Sequence, residues 1–181
     1  MSAEDFSKFV ASQQKASDEP DIDWKTVRDE WLRDLDLLYQ RVVDYLAEYI
    51  GAGSISFAFT KVVLTEENIG RYFTKRMEIK IGRQLVHLEP IGTLLIGSKG
   101  RVDAVGSAGR AQIILVNERA KSPADLVKVT VSFGGAPPPA PHKPMQPTSW
   151  AWKIVTNSSP RKFVDIDKKS FLELLMEVAN A

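Results

Sequence analysis

The sequence predicts an α+β domain. An antiparallel meander of about eight strands, strongly curved or closing into a partial barrel, is preceded by a long helix and followed by a second one packed on it. Three observations predict it. An apolar seven-residue repeat runs through residues 23–50. Short stretches of alternating apolar and polar residues, punctuated by Gly, Ser, Lys or Pro, then succeed one another from residue 54. Helical spacing returns at the end of the chain, where Phe171, Leu174, Leu175 and Val178 fall at i, i+3, i+4 and i+7.

The elements follow in order. Residues 3–16 suit a short helix with Phe6, Phe9 and Val10 on one face, and the polar "SDEPDID" breaks it. Residues 1–20 are therefore read as a helical or flexible segment that stays loose or docks on a partner, and 21–181 as a single α+β domain. In the long helix Trp24, Trp31, Leu38 and Tyr45 recur every seven residues, with Leu35, Val42 and Tyr49 in the adjoining row. Asp21 or Asp23 can cap its start, and Gly51 and Gly53 can end it. Such a stripe fits a helix laid across a sheet or paired once across a dimer axis.

The strand stretches begin with "SISFAFTKVVL", whose alternation slips after Thr60, where a bulge or strand end is expected. "RYFTKRMEIKI" sets Phe73, Met77, Ile79 and Ile81 against Tyr72, Thr74, Arg76, Glu78 and Lys80. After a turn at Gly82 come "QLVHLEP", "GTLLIG", "RVDAV", "AQIILV" and "LVKVTVSF". Residues 134–148 hold six of the ten prolines and read as an extended, polyproline-like loop. "SWAWKIVTN" and "KFVDI" follow, and Asp167 or the Ser170/Glu173 pair can cap the last helix.

Composition bounds the function. The 181 residues are 44% apolar and 26% charged, as in ordinary globular proteins, so a core needs no staples. The absence of cysteine excludes disulfide and thiolate chemistry and suits a reducing, cytoplasmic setting. No secretory signal and no membrane-length apolar run is expected. The net charge of +1 hides a division: residues 1–50 carry 6 Lys/Arg against 12 Asp/Glu, and residues 51–164 carry 16 against 7. An acidic helix against a basic sheet within one molecule accounts for this, as does a basic face for an anionic partner.

"GSKGRVDAVGSAGR" repeats Gly-Ser-x-Gly-Arg at residues 97 and 106. A phosphate-binding loop runs from a strand into a helix, whereas both of these run into strand-like residues, and the Lys-Ser/Thr of a nucleotide loop is missing. Both are expected to be hairpin turns, at opposite ends of one strand and too far apart to close on a single phosphate. Asp103 stands mid-strand, two residues from Arg101 on the same face.

Two histidines, His87 and His142, show no metal-ligand spacing. Glu66-Glu67 reads as part of a turn and Asp165/Asp167 as a helix start. No catalytic, cofactor or metal residue is singled out. The candidate anion- or partner-binding residues are Arg71, Arg76, Lys99, Arg101, Asp103 and Arg110. Trp150 and Trp152 share one side of a strand, either in the core or as an aromatic surface. The leading functional reading is a non-catalytic binding or assembly module acting through protein contacts, as a homodimer or with another protein. The alternative is an anion- or nucleic-acid-binding module using the basic sheet, and the third is an enzyme with a dispersed site.

Overall fold

The structure is a computed structural model. It describes residues 22–93, 97–126 and 149–180, and within the first twenty-one residues Ser7 alone. The expected helix over 3–16 (Ser7 apart), the strand over 126–133 beyond Leu126, the proline-rich loop 134–148 and His142 lie outside the described residues.

The architecture is α+β. A long helix, α1 (Trp24–Gly51), leads into seven strands: β1 (Ile55–Glu66), β2 (Gly70–Ile81), β3 (Gln84–Gly92), β4 (Ser98–Val105), β5 (Arg110–Asn117), β6 (Trp150–Val155) and β7 (Phe163–Asp165). The closing helix is α2 (Lys168–Ala179). The strands form one antiparallel meander in chain order, with β1 and β7 as its edges, so the described sheet is open rather than a closed barrel. Of "GTLLIG", Gly92 ends β3 and Thr93 lies in a bend, and residues 94–96 lie outside the described residues.

Each helix starts where its cap dictates. Asp23 accepts from the backbone N–H groups of Lys25 and Thr26 at 3.1 and 3.3 Å, satisfying donors that the first helical turn leaves without partners. Asp167 and Ser170 cap α2 reciprocally: the Ser170 N–H donates to Asp167 Oδ1 at 2.8 Å, and the Asp167 N–H donates to Ser170 Oγ at 2.9 Å.

Both helices cover one face of the sheet. Trp31, Leu35, Leu38, Tyr39, Val42 and Leu46 of α1 and Phe171, Leu174, Leu175 and Val178 of α2 are buried against the inner residues of β2 to β6. The stripe on α1 thus continues through Leu46, whereas Tyr49 is exposed at the helix end. On the outer face a smaller cluster of Ile114, Val116, Ala120 and Val155 is capped by Leu126 of a 3-10 turn (Pro123–Leu126).

The break in alternation after Thr60 is neither a bulge nor a strand end. β1 and β2 keep an unbroken register from Ile55↔Ile81 to Glu66↔Gly70. What changes is the buried face. Met77 is buried but Phe73, on the same side of β2, is exposed, while Tyr72 is buried instead. A twelve-residue hairpin twists along its length. Its far half therefore turns the Leu64, Glu66 and Tyr72 side onto the core and the Val63 and Phe73 side outward, while Phe59, across from Met77, stays 5.5 Å from the Tyr39 ring.

Candidate functional site

Three places gather chemistry-bearing side chains: the outer face at Asp103, a buried carboxylate at Glu66, and a groove between α1 and the β1–β2 hairpin.

The repeated Gly-Ser-x-Gly-Arg units have different local roles. The second is a hairpin turn between β4 and β5, whereas most of the first belongs to β4, with a bulge between Ser98 and Gly100. Gly100 has no space for a side chain, because a β-carbon there would lie 2.2 Å from Trp31 Cζ3. At Gly106 a β-carbon would lie 2.2 Å from the carbonyl oxygen of Val178. That close approach lets the Ala108 N–H donate to the same carbonyl at 2.9 Å and so satisfy the end of α2.

The two units also converge through their arginines. Arg101 Nε donates to Asp103 Oδ1 at 2.6 Å and its Nη2 to Oδ2 at 2.8 Å, a two-pronged pair. Arg110 Nη1 reaches Oδ2 at 3.2 Å. Asp103 lies directly across from Gln112 on β5, which puts Arg110 two residues along on the same face. Asp103 is fully buried beneath these side chains, so it is not an ordinary surface ion pair.

The other sequence candidates do not join this cluster. Arg76 pairs with Glu78 at 2.8 Å and approaches Glu89 at 3.6 Å. This pairing, first through the hydrogen bond from Arg76, holds the Glu78 carboxyl below its ordinary range. His87 Nδ1 is 3.8 Å from the same carboxylate. Lys99 pairs with Glu30 of α1 at 3.1 Å and lies 5.1 Å from the Trp150 ring. Arg71 is exposed and makes no ion pair among the described residues. Trp152 is a core residue rather than a surface aromatic: it is buried 6.2 Å from Trp31, and its Nε1 donates to the Asp34 carbonyl at 3.3 Å. Trp150 on the same side is half-buried.

Glu66 is not part of an exposed turn. It ends β1 and is buried, accepting at Oε2 from the Thr93 N–H at 2.9 Å and the Thr93 hydroxyl at 2.6 Å, and at Oε1 from the Tyr72 hydroxyl. Burial, and then the neighbouring Glu66, push the Tyr72 phenol well above its usual range. With both oxygens engaged, the carboxylate pins the far half of the hairpin to the end of β3. Nothing in a Glu-Glu pair before Asn-Ile-Gly signals this, because it depends on the twist of the hairpin. Lys153 is buried as well: it donates to the carbonyls of Glu118 and Ala120 at 2.7 and 2.8 Å and pairs with Asp165 at 3.1 Å.

The groove is the most open of the three. Two adjoining hollows of about 450 and 420 Å³ share Asp36, Phe59 and Lys75. Leu32, Lys61 and Phe73 line one, and Tyr39, Val43 and Phe57 line the other. Phe59, Val63 and Phe73 are 43%, 41% and 57% exposed. Lys61 Nζ sits 3.9 Å from the Phe73 ring centre and Lys75 Nζ 4.8 Å from that of Phe59. Lys75 also pairs with Asp36 at 2.9 Å. Among the described residues β1 has a strand neighbour on one side only, so half of its backbone donors and acceptors face away from the sheet.

Among the described residues no group of three His, Asp or Glu stands ready to hold a metal ion, and no helix is long and apolar enough to cross a membrane. Compared with family models, curated proteins and solved structures, the chain matches none.

Proposed function

We propose that this protein is a non-catalytic binding module that takes up an extended protein segment along β1. The observation that carries the proposal is the exposed Phe59 and Val63 of the twelve-residue edge strand β1 and Phe73 beside them on β2, interleaved with Lys61 of β1 and Lys75 of β2, next to α1. An added strand satisfies the open backbone groups of the edge, while alternate side chains supply specificity. Apolar side chains of the partner rest on the phenylalanines, and a carboxylate pairs with Lys61, whereas Lys75 is already paired with Asp36.

The partner is a different chain rather than a second copy. Self-pairing of β1 brings Lys61, mid-strand, against its own symmetry mate, a common device for keeping edges apart. Partner exchange through the helix remains the route to a homodimer. The pairing of Arg76, Lys99, Arg101 and Arg110 with internal carboxylates weighs against a broad nucleic-acid face on the sheet. The cysteine-free composition suits a cytoplasmic site of action.

Selection of displayed twelve-residue peptides on the folded protein tests this, with a Phe59→Ser/Phe73→Ser variant as the comparison. Enriched peptides that alternate apolar with acidic residues, bind at micromolar concentration and lose binding to the variant support the reading. Peptides that bind both proteins equally, or no enrichment, overturn it. Labelled single- and double-stranded DNA and RNA, titrated in parallel at low salt, test the polyanion alternative.

A further inference from the structure

We infer that the outer face carries a second, small binding site, for a single oxyanion of the phosphate or phosphomonoester type, held between Arg110 and Arg161. It lies on the opposite face of the sheet from the helices, and so does not depend on the reading of the groove.

The first ground is an excess of charge. Asp103 is already neutralised in a two-pronged fashion by Arg101. Arg110 adds a second positive charge to the same carboxylate through one Nη, at 3.2 Å, and its side chain remains 56% exposed. A guanidinium carries five N–H donors in a rigid fork. Anchoring one end on a buried carboxylate fixes the direction of the others, which costs conformational entropy before any ligand arrives and none afterwards.

The second ground is where those donors are. Arg110 lines a cavity of about 170 Å³ with Gln112, Val155, Asn157 and Arg161. Arg161 is exposed and makes no ion pair among the described residues. Gln112 offers an amide, and Val155 is a buried apolar wall. The acidic groups near it are Asp103, fully committed to its two arginines, and Glu177, which accepts from Asn157 Nδ2 at 2.6 Å. Sites for whole small molecules usually measure roughly 300–1,000 Å³. This one has room for one anionic group and is too small for a nucleotide. Two arginines and an amide lining one small cavity match the multiple acceptor oxygens of a phosphate better than the two of a carboxylate.

The sequence gives the reason such a site escapes a motif search. The arginines close Gly- or Ser-rich turns, "GSAGR" and "SSPR", stand fifty-one positions apart and line one cavity because β5 and β6 are neighbours. It is a side-chain site, unlike a backbone phosphate loop.

Nitrogen-labelled protein at low ionic strength, titrated separately with inorganic phosphate, phenyl phosphate and acetate up to about 20 mM, tests it by two-dimensional NMR. Sodium chloride at matched ionic strength is the control. The expected result is a saturable shift of the Arg110 and Arg161 Nε–H signals and of the amides of residues 155–157, with both phosphates binding at least several-fold more tightly than acetate. Tighter binding of phenyl phosphate assigns the site to a phosphorylated molecule, and equal binding assigns it to the free ion. Arg161→Gln weakens binding about tenfold or more while its spectrum stays native. Arg33→Gln, the same charge change on the exposed side of α1, leaves it unchanged. Shifts reproduced by chloride, shifts that persist in Arg161→Gln, no preference over acetate, or no saturation at all each overturn the inference.

Discussion

Gly100→Ala tests the packing logic of the molecule with one methyl group. The new β-carbon would stand 2.2 Å from Cζ3 and 2.4 Å from Cε3 of Trp31. Carbon atoms pack at roughly 3.5–4.0 Å, so the ring or the strand has to retreat by about 1.3 Å or more. The ring has little freedom to do so, being 1% exposed with Trp152 6.2 Å away. Overpacking of this kind costs about 1–3 kcal/mol, and the closeness of this contact points to the upper end. Against it stands the reduced freedom of the unfolded chain when Gly becomes Ala, worth about 0.5–1 kcal/mol. The net expectation is a loss of about 2 kcal/mol, or about 4–8 °C in Tm for a chain of this size. Urea unfolding followed by circular dichroism measures it without relying on tryptophan emission. The same substitution made in a Trp31→Leu background decides the cause, since leucine has no atoms at Cζ3 or Cε3. There it should cost nearly nothing, a coupling of about 1.5 kcal/mol or more. An equal cost in both backgrounds, or a loss below about 0.5 kcal/mol in the wild type, would refute the steric argument.

Three further outcomes are expected. Asp167→Ala lowers the unfolding midpoint at neutral pH, and the gap to wild type closes as pH falls. The Ser170 N–H, and next its hydroxyl, hold this carboxyl below its ordinary value of 3.8, so its contribution is complete above that value and is lost as pH falls through the depressed one. Melting curves from pH 7 to about 2 check the sign. Lys153→Met keeps the stem but strips the donors from the Glu118 and Ala120 carbonyls, at a cost of about 1–3 kcal/mol and with faster amide exchange across residues 118–120. Phe59→Ser with Phe73→Ser costs about 1–3 kcal/mol, since Phe73 is 57% exposed but Phe59, 43% exposed, also packs 5.5 Å from the Tyr39 ring, and a native circular dichroism spectrum separates a binding defect from a folding one.

What the sequence reveals and what it hides divide along physical lines. Local periodicity announces α1, the meander and α2, because each is built from residues that are neighbours in the chain. The caps are equally local: Asp23 and Asp167 each sit within three residues of the groups they satisfy. The same periodicity underlies the strand count, about eight expected against seven in the described sheet. The charge division between the first fifty residues and the sheet is partly internal pairing, as Glu30 with Lys99 and Asp36 with Lys75 demonstrate. The local pair Arg101–Asp103 is visible at spacing two, but its depth is not, since burial depends on the turn that returns Arg110 to the same carboxylate.

The least legible feature is the groove. Alternation along "RYFTKRMEIKI" assigns Phe73 to the core and Tyr72 to solvent, and the twist of a long hairpin reverses both. The slip after Thr60 is the trace that this reversal leaves in the sequence. A strand buried on one face along its whole length has no reason to change which positions are apolar. One whose far half turns its other face inward needs Leu64 and Tyr72 there, and has no packing need for Val63 and Phe73 on the side it exposes. Phe59 and Phe73, 43% and 57% exposed and each with a lysine over its ring, at an edge that β-proteins ordinarily protect, are the features on which the proposed docking of an extended segment rests.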